Sequence, residues 1–442
     1  MPNLGAAEAG EAIAAAEAAF ASWRSLLPQM RGDALRRWGE LMLHNSEQLA
    51  ALLTLEQGKP IGESRGEIAY AAGFLKWFGE EAARAYGDVI PSHLAHSRLI
   101  VMREPIGVAA AITPWNFPSA MITRKAWAAL AAGCPMIVKP SPETPFSAIA
   151  LGILAEQAGL PSGVFQVITG DAEAIGTTLC KSPTVRAISF TGSTNVGRLL
   201  LTASAATVKK VSLELGGHAP FIAFCGVDLE KAASDAVTAK FQTTGQDCLA
   251  ANRLLVQTGI YEAFLEAFVA RTRALRVGNG FDANVSIGPL ISEAAVDRCQ
   301  RQVDDAVVKG ARLLLGGRRD PTGRRFYSPT VLADVTPEML IWREETFGPI
   351  AAFIRFDHES DSVRLANDTA YGLGAYIYSH DVVRAWRVAE ALECGLIGVN
   401  TSRFTGPPVP FGGVKQSGLG REGSRHGMDE YTELKTICFG GM

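Results

Sequence analysis

From about residue 97 onward the chain alternates short apolar runs with helix-length segments, and no other feature restricts its fold as much. The runs at 98–102 and 107–113 read as strands, the second leading into the turn Pro114-Trp115-Asn116. Strand-then-helix pairs follow at 135–139 and 147–158, at 164–169 and 173–181, and at 187–191 and 196–206. Another series starts with runs at 208–214 and 221–223 and continues through a helix at 229–242 to a strand at 253–257. Strands alternating with helices of about 10 residues indicate a mostly parallel, doubly wound sheet, so the expected class is α/β. Residues 5–85 read instead as successive helices, with Leu41, Leu49, Leu52, Leu53 and Leu55 recurring at helical spacing. A chain of 442 residues is too long for one simple core and implies two or three domains.

The formal net charge of −3 gives no global attraction to nucleic acid or to an anionic membrane. No uninterrupted apolar stretch reaches the roughly 20 residues of a membrane span. The first helix carries Glu8, Glu11 and Glu17 and no basic residue before Arg24, which fits neither a secretory signal nor a mitochondrial presequence. The expected location is therefore the cytoplasm. Seven dispersed cysteines contain no CxxC, and the pair His93 and His96 has no third ligand nearby, so no metal site is expected. Most of these cysteines should be buried filler, with at most one reactive thiol.

Cys248 is the cysteine in an unusual setting, preceded by Thr244-Gly245-Gln246-Asp247, a turn where backbone can approach a substrate. Position alone also permits a packing role. Glu214 is a charge at the end of an apolar strand, followed by Gly216-Gly217. Burial raises the pKa of such a carboxyl, which suits it equally to a general base or to a structural cap. Asn116, held between Pro114 and Pro118, can donate to an oxyanion or bond its own backbone. Phe190-Thr191-Gly192-Ser193-Thr194 closes a strand and opens a helix, a weak anion site that matches neither GxGxxG nor a P-loop. Lys139, at a strand end before Pro140, either reaches a ribose or phosphate or faces water.

Taken together, the ordered blocks 113–118, 139–141, 190–194, 214–217, 245–248, 344–349 and 410–413 resemble the aldehyde dehydrogenase superfamily across nearly the whole chain. The resemblance implies an aldehyde-dehydrogenase-like fold, with two doubly wound Rossmann-like α/β domains and a small β oligomerisation arm. It places the dinucleotide-binding domain at 1–96 and 112–215, the catalytic domain at 216–411, and the arm at 97–111 and 425–442. Cys248 is then the nucleophile, Asn116 an oxyanion donor together with the Cys248 N–H, and Glu214 the base that activates water. NAD or NADP would be held by Thr113, Pro114, Trp115, Lys139, Ser141, Gly192, Ser193, Glu345 and Phe347. A homodimer or homotetramer is implied, acting on a small aldehyde without nucleic-acid or membrane partners.

Within that superfamily the segments 121–125, 216–220 and 415–424 are most similar to succinate-semialdehyde dehydrogenases. That branch implies a substrate carboxylate held by two arginines and a serine. Arg124 matches the first arginine, but Gln242 stands at the second and Thr405 at the serine. Losing one arginine removes a charge-assisted bond worth about 1.5–3 kcal/mol. Arg403, two residues before Thr405, is a candidate replacement. The expected substrate is a short ω-carboxylate semialdehyde such as succinate semialdehyde. The alternatives are a neutral or longer aldehyde, one bearing a sulfonate or phosphonate, or an inactive binding protein. The resemblance also implies that a CoA-linked acylating enzyme would lack Glu214. Ala250 stands where many members of the branch carry a second cysteine, which implies no local disulfide switch. Pro142 replaces a glutamate common in NAD-preferring members, with Glu143 beside it, so NAD and NADP both stay open.

Overall fold

The computed structural model describes residues 1–441; Met442, the last residue of the expected arm, lies outside them. Four helices come first: α1 (Ala6–Ser25), α2 (Pro28–His44), α3 (Ser46–Gln57) and α4 (Ile61–Glu81). The strands β1 (Asp88–Ile90) and β2 (Ser97–Pro105) follow. An alternating stretch comes next: β3 (Val108–Ile112), α5 (Ala120–Ala132), β4 (Met136–Lys139), α6 (Pro145–Gln157), β5 (Phe165–Val167), α7 (Ala172–Lys181), β6 (Val185–Thr191), α8 (Thr194–Ser204) and β7 (Lys210–Glu214). Then come β8 (Ala219–Ala223), α9 (Leu229–Phe241), β9 (Ala251–Gln257), β10 (Arg312–Leu315), β11 (Thr330–Ala333), β12 (Ile350–Phe356), β13 (Gly374–Tyr378), β14 (Leu396–Val399), β15 (Gly418–Leu419) and β16 (Thr432–Gly440).

These strands form three sheets. One has the order β15-β7-β6-β3-β4-β5, parallel except for β15. A second has the order β10-β11-β12-β9-β8-β13-β14, parallel except for β10. The third is an antiparallel arm, β1-β2-β16. The arm differs from its expected limits at both edges. Strand β3, of which 108–111 were expected in the arm, pairs between β6 and β4; its Val-Ala-Ala-Ala-Ile run is buried almost throughout, as a central parallel strand requires. Asp88–Ile90, expected in the first domain, pairs with β2 of the arm. Strand β2 has a mixed pattern of burial, as an antiparallel strand with one open face should.

In the first sheet the chain winds outward from β3 through β4 to β5, then returns to the other side of β3 for β6 and β7. The reversal between β3 and β6 opens a crevice at their C-terminal ends, the usual ligand position of such sheets. Those ends carry Thr113-Pro114-Trp115-Asn116 and Thr191-Gly192-Ser193. Helix α5 lies beneath this crevice and every one of its residues is buried, Arg124 and Lys125 included. Two buried cations demand a counter-charge, and Glu422 supplies it. Its Oε2 lies 3.2 Å from Arg124 Nε, and its Oε1 accepts from Lys125 Nζ.

Candidate active site

The turn that delivers Cys248 is held in an uncommon backbone state. Thr243, Thr244 and Gly245 lie consecutively in the left-handed region, with φ of 52°, 59° and 71°. Two β-branched residues there are strained, so the surroundings must hold them. The Glu63 carboxylate accepts the Thr243 N–H at 3.0 Å and 3.2 Å, and Thr244 Oγ1 accepts the Gly288 N–H at 3.0 Å. Gln246 Oε1 accepts the Ile291 N–H at 2.9 Å. Glycine is required at two close approaches. A Cβ on Gly245 would stand 2.3 Å from the Gly348 carbonyl oxygen, and one on Gly217 would stand 2.0 Å from the carbonyl oxygen of Cys248 itself.

Cys248 is half-buried in the wall of a cavity of about 910 Å³. Burial and the carboxylates of Asp247, Glu345 and Glu214 push its thiol well above the ordinary range, and Arg124 opposes them. Asn116 lines the same cavity and is tied to the Cys248 turn, its Nδ2 donating to the Gln246 carbonyl at 3.0 Å. Arg124, Gln242, Arg403 and Thr405 also line it. Arg124 stacks 3.8 Å above the Phe411 ring, and its Nε and Nη2 have no hydrogen-bond acceptor among the described residues. Arg403 is exposed at the rim.

Glu214 lies behind this wall rather than in it. It is buried, and neither carboxyl oxygen has a hydrogen-bond partner among the described residues. Burial, followed by the nearby Glu422, raises its carboxyl well above the carboxylate range, against Arg124, Lys125 and Arg421.

The cavity continues over the switch point of the first sheet, where Pro114, Trp115, Gly192, Ser193, Glu345 and Phe347 line it. Trp115 and Phe347 meet edge to face at 5.5 Å. Ser193 caps α8, its Oγ accepting the Val196 N–H at 3.4 Å. Glu345 Oε1 accepts the Gly217 N–H at 2.9 Å, and burial pushes its carboxyl up to about 7. Thr113, Lys139 and Ser141 are not in the wall. Thr113 donates its N–H to the Lys139 carbonyl at 3.1 Å, and Ser141 Oγ accepts the N–H of Glu143, which does line the cavity. Burial lowers the Lys139 ammonium.

Sequence reasoning missed Glu63 and Glu67, which line the cavity, Lys59 behind them, and the pairing of Lys125 with Glu422. Arg124-Lys125 inside an otherwise apolar helix was a visible sign of buried pairing; the distant partner was not. Among the described residues, no group of three metal-ligating side chains is found.

The family model "Aldehyde dehydrogenase family" matches residues 1–437. The 3-sulfolactaldehyde dehydrogenase of Pseudomonas putida is 54% identical over 442 residues, covering 100% of this chain and 91% of that protein. The succinate-semialdehyde dehydrogenase [NADP(+)] of Escherichia coli K12 is 52% identical over 440 residues, covering 100% of this chain and 91% of that one. Among solved structures, succinate-semialdehyde dehydrogenase from Burkholderia pseudomallei superposes with a TM-score of 0.99 at 53% identity, covering 100% of this chain and 92% of that one. The chain belongs to the aldehyde dehydrogenase family.

Proposed function

We propose that this enzyme oxidises a small aldehyde with an anionic far end, foremost a short ω-carboxylate semialdehyde such as succinate semialdehyde, to the carboxylic acid. The observation that carries the reading is a cationic side chain in the cavity of Cys248: Arg124 lines the same space, its Nε facing Glu422 and its Nη2 without an acceptor among the described residues. Gln242, Thr405 and Arg403 also line the pocket, Arg403 adding a further cation. A sulfonate is the second reading, since one relative is named for a sulfonated aldehyde and Gln242 departs from the two-arginine clamp.

The residues fit a nicotinamide dinucleotide. Buried Thr113 Oγ1 and Thr191 Oγ1 lack partners among the described residues, and the start of α8 faces the same crevice. Gly192 and Ser193 would take the pyrophosphate, Lys139 and Ser141 the adenosine ribose, and Glu345 the nicotinamide ribose beside Phe347, Pro114 and Trp115. When bound, NAD or NADP supplies the acceptor for the hydride that leaves as the substrate carbon is oxidised.

Cys248 Sγ, once ionised, adds to the aldehyde carbon and gives a thiohemiacetal. Asn116 Nδ2 and the Cys248 N–H donate to its oxyanion as preorganised donors. Loss of hydride leaves a thioester on Cys248. Glu214, in its ionised form, takes a proton from water as that water attacks the thioester carbon, and burial makes its carboxylate the stronger base. The acid departs and the thiol is restored.

By this reading the first sheet with its helices serves the cofactor, residues 216–411 carry the nucleophile, and the arm joins subunits in a homodimer or homotetramer. A cytoplasmic location completes the proposal. Initial rates with succinate semialdehyde, glutarate semialdehyde, a sulfonated aldehyde and acetaldehyde, each with NAD and NADP, test the substrate class. An anionic aldehyde should exceed acetaldehyde in kcat/KM by about tenfold or more, one charge-assisted bond being worth that much; preference for acetaldehyde sinks the anionic reading.

A further inference from the structure

We propose that Lys59 and Glu67 are positioning residues of the oxidation: a buried ion pair that braces Asn116 and so fixes the oxyanion site. The inference rests on the oxyanion role given to Asn116 above. Both side chains are 1% exposed, and Lys59 Nζ is 2.6 Å from Glu67 Oε2. The same ammonium donates to the backbone carbonyl of Asn116 at 2.7 Å and lies 4.0 Å over the Phe117 ring. The other oxygen of Glu67 accepts the N–H groups of Ser119 and Ala120 at 2.9 Å and 3.2 Å. One carboxylate therefore anchors the start of α5, and through Lys59 it anchors the turn just before it.

Buried ion pairs are poor devices for stability, because apolar side chains of the same volume often serve the fold as well or better. This pair instead acts on the backbone of an oxyanion donor, where geometry counts. Preorganised donors work only if they need not move as charge develops. The placement on α4 adds a second constraint. Glu63, one turn before Glu67, holds the Thr243 N–H in the nucleophile turn. One rigid helix thereby grips both the Asn116 turn and the Cys248 turn, and the Asn116-to-Gln246 hydrogen bond joins them across the cavity. The spacing of two glutamates on a helix sets the distance between oxyanion donor and sulfur.

The test is Lys59→Met and Glu67→Gln, each alone and each combined with Asn116→Ala, read as kcat and KM with thermal midpoint as the folding control. Each single brace variant should lower kcat by about 10- to 100-fold, as a small misplacement of a catalytic group does, while KM for the aldehyde moves by less than about threefold. On the Asn116→Ala background the same changes should lower kcat by no more than about twofold, because residues that act through one another are not additive. Should Lys59→Met fail to fold, Glu67→Gln carries the test, since its amide oxygen can still cap α5 while the charge facing Lys59 is gone. Full kcat in a folded brace variant overturns the brace, and so does an undiminished further loss on the Asn116→Ala background. Unchanged kcat in Asn116→Ala overturns the oxyanion reading and the brace with it, whereas loss there with full kcat in both brace variants overturns the brace alone.

Discussion

Cys248 is set among three carboxylates, and the consequence is a thiol harder to ionise than a free one. Because burial, Asp247, Glu345 and Glu214 raise Cys248 together, its thiolate should form at higher pH than that of a free cysteine. Alkylation by iodoacetamide, followed as a function of pH, should rise at higher pH than it does for a free cysteine; levelling near neutrality would contradict the electrostatics. Asp247→Asn removes the carboxylate that acts most strongly on the thiol. It should move the profile to lower pH and speed alkylation at about pH 8 by up to about tenfold. At the other end of the cavity, Arg124→Ala should raise KM for an anionic semialdehyde by about 10- to 150-fold, the value of a charge-assisted hydrogen bond, and leave acetaldehyde nearly untouched. Arg403→Ala separates the two readings of the rim: a matching rise in KM makes Arg403 the replacement for the arginine missing at Gln242, and no change leaves it a solvated loop residue. Arg124 was identifiable in the sequence from its motif. Its pairing with Glu422, nearly 300 positions later, was not, because only the return of the C-terminal segment brings the two together.

At the scale of elements, two connections meet at one point. The β7–β8 link passes so close to the nucleophile turn that a methyl group on Gly217 would collide with the Cys248 carbonyl oxygen, backbone against backbone. Gly217→Ala must therefore displace the nucleophile or the end of β7, which carries Glu214. The expected outcome is a loss of kcat of about 100-fold, in line with a displacement of about 1 Å at a catalytic group, with the secondary structure retained by circular dichroism; full activity would show that the link can yield. The order and type of the central elements were legible from 3.6- and 2-residue patterns. The left-handed state of Thr243 and Thr244 was not, since threonine favours extended backbone and bonds to Glu63, Gly288 and Gln246 hold it otherwise. The limits of the arm were misjudged for a related reason. A short apolar run reads alike in a central strand and in an arm strand, and only pairing tells β3 from β2.

At the scale of the whole molecule, the arm leaves β16 as an outer strand with Leu434 and Phe439 exposed, and β1 leaves Val89 and Ile90 exposed on the opposite edge. Long open edges bearing apolar side chains invite pairing, so light scattering should give two or four times the 47.0 kDa of the chain. Deleting 432–442 should lower that mass; an unchanged mass would place the subunit contacts elsewhere. No helix among the described residues is long and apolar enough to cross a membrane. The sequence by itself determined the α/β class and, through its resemblance to a family, which residues are proposed as nucleophile, base and oxyanion amide, because periodicity and short motifs are local properties of a chain. Tertiary structure decided what each of those residues faces. It set Glu214 behind the cavity wall beside Glu422, gave Arg124 a counter-charge, and put Lys59 and Glu67 under Asn116. Those are matters of burial and long-range pairing, and the energies of buried charges depend on neighbours that lie far away in sequence.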